Sequence, residues 1–290
     1  MNMTKQKNFT SVLQGAGGRA LQWRVLLLWV AALWIPTALL ALPVWRLLAV
    51  QFDHSIYAAE LAQRLDLNSV NDLMVVFSQN GLALAEAGIA ALLATLLLSP
   101  LLSGALIAAA RATEIRTLGQ LIQAGVADYG RMLRMLLWAV VPLAVAGGLG
   151  AAAMQGAKHY AETAVLQANA DWANYAATTL LFVLLLLAHA TVDAGRAQLA
   201  ADSRRRSAVK AWWMGCQMAW RRPSMVFGLY MAFSALGLML MAVLGYLRIN
   251  VPHAGAPGLL FALLLAQLIA AVSGWMRAAR LFAMIDLARG

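Results

Sequence analysis

The stretch Gly81 to Ala110 reads GLALAEAGIAALLATLLLSPLLSGALIAAA, with Glu86 as its single ionisable side chain. A helix rising 1.5 Å per residue needs about 20 predominantly apolar residues to cross a hydrocarbon core about 30 Å thick. This stretch exceeds that length, so it spans a bilayer with residues left over to tilt or project. Five further stretches qualify in both directions from it: Val25 to Trp45, Met135 to Met154, Ala173 to Val192, Met225 to Leu247 and Gly258 to Met276. Every backbone N–H and C=O inside lipid must be satisfied internally, and a helix does this within one segment. The expected fold is therefore all-α: a single polytopic membrane bundle over 1–290, with spans at about 25–45, 81–110, 135–154, 173–192, 225–247 and 258–276.

Composition agrees. Of 290 residues, 62% are hydrophobic and 12% charged, with a mean hydropathy of +0.72. Soluble chains carry about 25% charged residues. With half that share there is too little polar surface to cover a globule in water, which argues against a soluble enzyme, a disordered chain and a small disulfide scaffold. The lone cysteine, Cys216, pairs with nothing internally and reads as a buried or interfacial thiol. The first span reads as an uncleaved helix, because its apolar run outlasts the about 7–15 residues of a signal-peptide core and contains Trp29, Trp34, Pro36 and Pro43.

Lys and Arg placement orients the bundle. Lys5, Lys7, Arg19 and Arg24 precede span one, and Arg111, Arg116, Arg131 and Arg134 fill the loop after span two. The loop after span four holds Arg196, Arg204, Arg205, Arg206, Lys210, Arg221 and Arg222, and the C-terminal end holds Arg277, Arg280 and Arg289. These are 18 of the 22 basic residues, and they belong to one side. Both termini are expected in the cytoplasm of a bacterial cell with the protein in its inner membrane, as an even span count also requires.

A threefold pattern runs through the chain. Leu118, Leu121, Ile122, Gly125, Val126, Tyr129, Met132 and Leu133 follow the i, i+3, i+4, i+7 spacing of an amphipathic helix ahead of span three. Val209, Trp212, Trp213, Cys216, Ala219 and Trp220 do so ahead of span five, and a shift of 90 residues lays Gly125 on Gly215 and Arg131 on Arg221. Phe9, Val12, Leu13 and Ala16 form a weaker copy before span one. The architecture expected is three tandem units, each a cytoplasmic interfacial amphipathic helix followed by a hairpin of spans. The alternative is that basic amphipathic linkers are simply common near headgroups. On the outer side, Ile56 to Leu65 and Val70 to Phe77 show helical spacing, with Asn68 or Ser69 as an N-cap for the latter. The segment Lys158 to Asp171 is alanine-rich and also suits a helix.

The third amphipathic copy is rich in residues suited to an anionic leaflet. Indoles favour the headgroup boundary and clustered cations are drawn to anionic lipid. Arg204, Arg205, Arg206, Lys210, Trp212, Trp213, Trp220, Arg221 and Arg222 are therefore the lipid-facing candidates, and nucleic acid is not expected as a partner. A membrane-protein partner or a second copy of the chain remains open.

Ionisable groups within or at the ends of spans are the functional candidates. Glu86 falls near the outer end of span two, where it serves either a proton or substrate role or an interfacial one. His189 and Asp193 stand four apart at the inner end of span four with Arg196 three further on, so one helix face carries all three. They fit a helix-end network in which Asp193 pairs with Arg196 or with Arg277 and Arg280. Two metal ligands or an acid–base pair are the other readings, although nothing in the sequence completes a metal site and no cofactor or catalytic residue is called for. Pro36, Pro43, Pro100 and Pro142 are expected to bend spans, and Gly88, Ser103, Gly104, Gly147, Gly148 and Gly150 to let helices approach closely. A Walker P-loop, a G-x-S-x-G elbow, H-E-x-x-H and Cys-x-x-Cys are all lacking in the sequence.

Ser103-Gly104-Ala105, Leu118 to Gly125, Asp193 with Arg196, and Trp220-Arg221-Arg222-Pro223 together resemble poorly characterised six-helix bacterial inner-membrane proteins. They are similar to the membrane region sometimes fused to glycerophosphodiester phosphodiesterases. The resemblance implies a six-span membrane fold; the phosphodiesterase catalytic domain is missing, so no catalytic residue carries over. The function expected is that of a non-enzymatic, transport-associated membrane protein, permease-like or supporting a pathway for a small or lipid-like molecule. The alternatives are a scaffold or assembly partner of an envelope complex, and a membrane-embedded lipid-modifying enzyme working near His189 and Asp193.

Overall fold

The structure, a computed structural model, describes residues 8–52, 67–112, 114–164, 166–251 and 255–289. Within them lie nine α-helices: α1 (Phe9–Ala20), α2 (Trp23–Phe52), α3 (Leu67–Gln79), α4 (Gly81–Arg111), α5 (Leu118–Thr163), α6 (Gln167–Ala201), α7 (Ala208–Arg221), α8 (Pro223–Ile249) and α9 (Gly255–Ala288). Six of them, α2, α4, α5, α6, α8 and α9, are long and apolar enough to cross a membrane. The chain is a multi-pass helical bundle. In the most apolar window of each, only 17–28% of residues are buried within the protein. Leu97, Val140, Phe182, Leu238 and Leu264 are all exposed on the outside. Water would penalise such a surface heavily, whereas lipid tails solvate it without cost.

Helix ends follow local chemistry. Thr117 and Gln120 form a reciprocal capping box at the start of α5, each side chain accepting the other's backbone N–H. Ser207 caps α7 by accepting from the Lys210 N–H. Pro223, at the first position of α8, lacks the N–H that would continue α7, so α7 and α8 are separate helices. Between Leu118 and Met135 there is no such stop. The middle amphipathic segment is therefore not a separate helix but the first turns of α5, which runs unbroken for 46 residues. At 1.5 Å per residue that is about 70 Å, well beyond the hydrocarbon core at both ends.

On the opposite end of the bundle, Asn68 and Ser69 have helical backbone within α3 and so do not stand ahead of it as caps. The expected helix Ile56 to Leu65 lies outside the described residues. The Lys158 to Asp171 segment extends α5 to Thr163 and starts α6 at Gln167. Pro36, Pro43, Pro100 and Pro142 all lie within continuous helices.

The three-unit pattern recurs in the packing. Each unit pairs two spans: α2 with α4, α5 with α6, and α8 with α9. The amphipathic part of each unit then docks on the return span of another: the start of α5 on α4, α7 on α6, and α1 on α9, which closes a ring. Gly125 meets Gly104 at the first of these joints, and Gly215 meets Gly195 at the second. Because an amphipathic helix covers each return span from outside, the segments Gly104–Ala110, Val192–Ala200 and Ala278–Ile285 are buried all round. The core sits there, at one end of the bundle, with Phe233, Phe282, Leu121, Met135 and Leu199 fully enclosed.

Candidate functional site: a cationic cluster beside an apolar chamber

Helical spacing on α6 aligns His189, Asp193 and Arg196, and the packing of α6 against α8 and α9 brings partners to them. Asp193 is 4% exposed. Its Oδ1 accepts from Arg196 at 2.7 Å, while Oδ2 lies 3.8 Å from Nε of Arg280 and 3.7 Å from Nδ1 of His189. Arg280 donates to Oγ of Ser234 at 3.1 Å and sits over the Tyr230 ring, 4.8 Å from its centre; its buried Nε has no hydrogen-bond partner. The Tyr230 hydroxyl and Nδ1 of His189 are hydrogen-bonded at 2.9 Å. One carboxylate thus serves two guanidiniums and faces an imidazole already held by a phenol.

Arg277 lies one turn earlier on α9. It stacks over Trp29 of α2, 5.4 Å from the ring centre, and makes no hydrogen bond or ion pair among the described residues. Trp29 is itself fixed, donating its indole N–H to Ser273 at 3.2 Å. Gly274 permits this contact, since a Cβ there would fall 2.6 Å from the Trp29 ring. Arg196 and Arg277 are the charged residues lining a chamber of about 170 Å³ whose other walls are mostly apolar: Trp29, Ala32 and Pro36 of α2, Leu102 of α4 and Leu136 of α5, with the hydroxyls of Thr95 and Ser99 of α4. Three guanidiniums surround one carboxylate in this region, so the site carries an excess of positive charge. Its chemistry is that of an anion receptor with a greasy wall.

The other candidates lie apart from it. Glu86 is exposed on the outer surface of α4, within its second turn. On and around α7, Arg204, Arg206, Lys210, Arg221 and Arg222 are exposed, as are Trp213 and Trp220, at 58% and 88%. Arg205 folds back onto Gln198 and Asp202. Trp212 is half-buried: its indole donates to Thr191 at 3.2 Å and packs edge-on against Trp138. Cys216 is half-buried on the same helix, and burial pushes its thiol pKa above the ordinary value. Several connector arginines do structural work. Arg111 and Arg131 donate to the carbonyls of Leu199, Ala200 and Asp202 at the end of α6, and Arg24 donates to those of Ile115 and Arg116. A helix C-terminus leaves carbonyls unpaired and attracts cations.

Tyr230, Ser234, Ser273 and Trp29 are site residues that sequence reasoning missed. The signal was a hydroxyl or indole N–H inside an apolar run, where a hydrogen-bond partner is needed. The arrangement defines a class, a multi-pass membrane bundle with a charged interior and an adjoining chamber. Comparison with family models, curated proteins and solved structures finds no match to this chain.

Proposed function

We propose that this is a non-enzymatic, transport-associated protein of the bacterial inner membrane, supporting a pathway for a small or lipid-like molecule that carries negative charge. The observation that carries this reading is a surplus of cation: buried Arg196 and Arg280 and half-buried Arg277 gather near the single carboxylate of Asp193. Cations withdrawn from water at the end of a membrane span are costly to keep, and one carboxylate does not neutralise three of them, so a negatively charged ligand is their natural counterpart. The chamber beside Arg277 provides room for such a ligand.

In this reading both termini and the basic connectors face the cytoplasm. The exposed cations of α7 and its neighbours, with Trp213 and Trp220, then rest on anionic headgroups of the inner leaflet. Extraction in native lipid discs followed by mass spectrometry tests the proposal. An anionic small molecule or lipid enriched over the bulk membrane, and lost in Arg277→Gln, supports it. A stoichiometric membrane-protein partner with no enriched anion overturns it in favour of a scaffold.

A further inference from the structure

We infer that the chamber between α2 and α4 is a binding site for a single-chain amphiphile with an anionic head, the head on Arg196 and Arg277 and the start of the chain among Trp29, Ala32 and Ser99. The inference rests on the anion-handling reading above and adds the ligand's chemistry and its pose. Three observations carry it.

The first is charge without a partner. Arg277 is packed against Trp29 and lines the cavity, yet no carboxylate lies within 4 Å of it and no acceptor is bonded to it among the described residues. Arg196 spends one bond on Asp193 and also lines the same space. Two arginines lining one cavity offer planar donor forks suited to a phosphate or carboxylate head. Neutral and cationic heads would leave the charge of Arg277 without a counterpart.

The second is the wall. Beyond the two arginines the lining is apolar apart from the hydroxyls of Thr95 and Ser99, and the Thr95 hydroxyl already donates to its own helix, to the Ala91 carbonyl. A small hydrophilic anion would leave most of that wall without contacts. A chain fills it. The volume of about 170 Å³ matches engineered apolar cavities of about 150 Å³ that accept benzene, so it holds the first carbons of a chain and not a whole lipid. The remainder has a way out, because Leu96 on the wall is 41% exposed on the lipid-facing surface.

The third is depth. Arg196 stands four residues and Arg277 one residue beyond the apolar runs that end at Val192 and Met276, near the level at which headgroups lie. Trp29 to Pro36 and Thr95 to Leu102 fall within apolar runs, at hydrocarbon depth. A ligand held head-on-arginine therefore has the orientation of a lipid in the adjoining leaflet, and enters without turning over.

Photo-cross-linking of the purified full-length chain in nanodiscs tests this with four probes sharing one diazirine-bearing acyl chain: a fatty acid, a lysophosphatidate, a lysophosphatidylcholine and a monoacylglycerol. The expected result is labelling of the Trp29–Pro36 and Thr95–Leu102 segments by one or both anionic probes. The stronger of the two shows whether carboxylate or phosphate is the head. Arg277→Gln should cut labelling by roughly tenfold or more, the loss of a charge-assisted hydrogen bond, while Arg277→Lys keeps most of it. Ser99→Phe should block it by filling the chamber, and Glu86→Gln should leave it unchanged. Equal labelling by the monoacylglycerol, or labelling that survives both Arg277→Gln and Ser99→Phe, overturns the inference. A hydrophilic anion that copurifies while no probe labels the chamber removes this site and leaves the broader function standing. A labelled chamber in a protein that copurifies only with a protein partner does the reverse.

Discussion

Arg19 and Asp286, 267 residues apart in sequence, are joined by a hydrogen-bonded ion pair that fastens the first helix to the last. At another joint of the ring, Arg111 of α4 faces Asp128 of α5 at 3.7 Å, with the signs exchanged. The positions correspond: Arg19 follows the buried Ala16 by three residues and Asp128 follows Gly125 by three, while Arg111 follows Gly104 by seven and Asp286 follows the buried Ala279 by seven. Opposite charge at this position pair is thus kept at two joints, whichever element supplies the cation.

Arg19→Asp and Asp286→Arg should each lower the midpoint of thermal unfolding in detergent, and the double exchange should recover most of the loss. The effect is modest, about 1 kcal/mol or less, because Arg19 is 44% exposed and water screens the pair. Differential scanning fluorimetry of the three variants reads it. Additive losses in the double variant would show that the ring is not closed by this pair.

The glycine joints carry a larger effect. A Cβ at Gly125 would fall 2.6 Å from the Leu101 carbonyl oxygen, and one at Gly215 would fall 2.5 Å from the Gly195 nitrogen, both rigid backbone atoms. Gly125→Ala and Gly215→Ala should therefore destabilise the bundle by about 1–3 kcal/mol or more through forced separation of helices. Gly88→Ala, with nothing within 4 Å of its new methyl, should match the parent. Equal melting of all three would mean that close approach at these joints does not hold the ring together.

The spans were legible because lipid imposes a single rule on composition, and apolar length alone reveals it. The 90-residue offset that overlays Gly125 on Gly215 was also legible, since both glycines answer to a backbone contact. The fusion of the middle amphipathic segment into α5 was hidden because periodicity marks a helical face but not whether the next helix is continuous; only a stop such as Pro223 decides that. Asp193, Arg196 and Arg280 announced themselves as charges beside one another on two helices. The separate role of Arg277 did not, because its distinction is that no carboxylate comes within 4 Å of it, a property of the space between α2, α4 and α9. Trp212 and Trp220 differ for a related reason. Their spacing places them on the same stripe, yet Thr191 and Trp138 lie within reach of one ring and not of the other.

Asp193 and Arg277 should respond differently to neutralisation. Asp193→Asn removes the carboxylate shared by Arg196 and Arg280 and leaves two buried guanidiniums unpaired, a change that costs about 3–5 kcal/mol at buried pairs. Arg277→Gln breaks no ion pair and loses only the stacking on Trp29, worth about 0.5–2 kcal/mol. Thermal melts in a single detergent should rank parent, then Arg277→Gln, then Asp193→Asn. The reverse order would mean that Asp193 is not the charge that holds α6 to α9. Such a melt also separates the ligand role of Arg277 from a folding role.

The orientation of the bundle is open to direct chemical reading through its one cysteine. Burial raises the Cys216 thiol pKa, so at a given pH it holds less of the reactive thiolate than a free thiol does. Alkylation of Cys216 by iodoacetamide at neutral pH should accordingly run slower than that of glutathione, and accelerate as pH rises through and past the ordinary thiol range. In a Cys216→Ser background, Arg206→Cys places a thiol on an exposed connector position, and Asn250→Cys places one at the other end of α8. A membrane-impermeant maleimide added to inverted inner-membrane vesicles should then label position 206 and spare position 250, and added to spheroplasts should do the opposite. Labelling of position 206 from the spheroplast exterior would turn the bundle over. It would place the basic face of α7 away from the anionic leaflet, and both the proposed lipid contact and the entry of a ligand from that leaflet would fall with it.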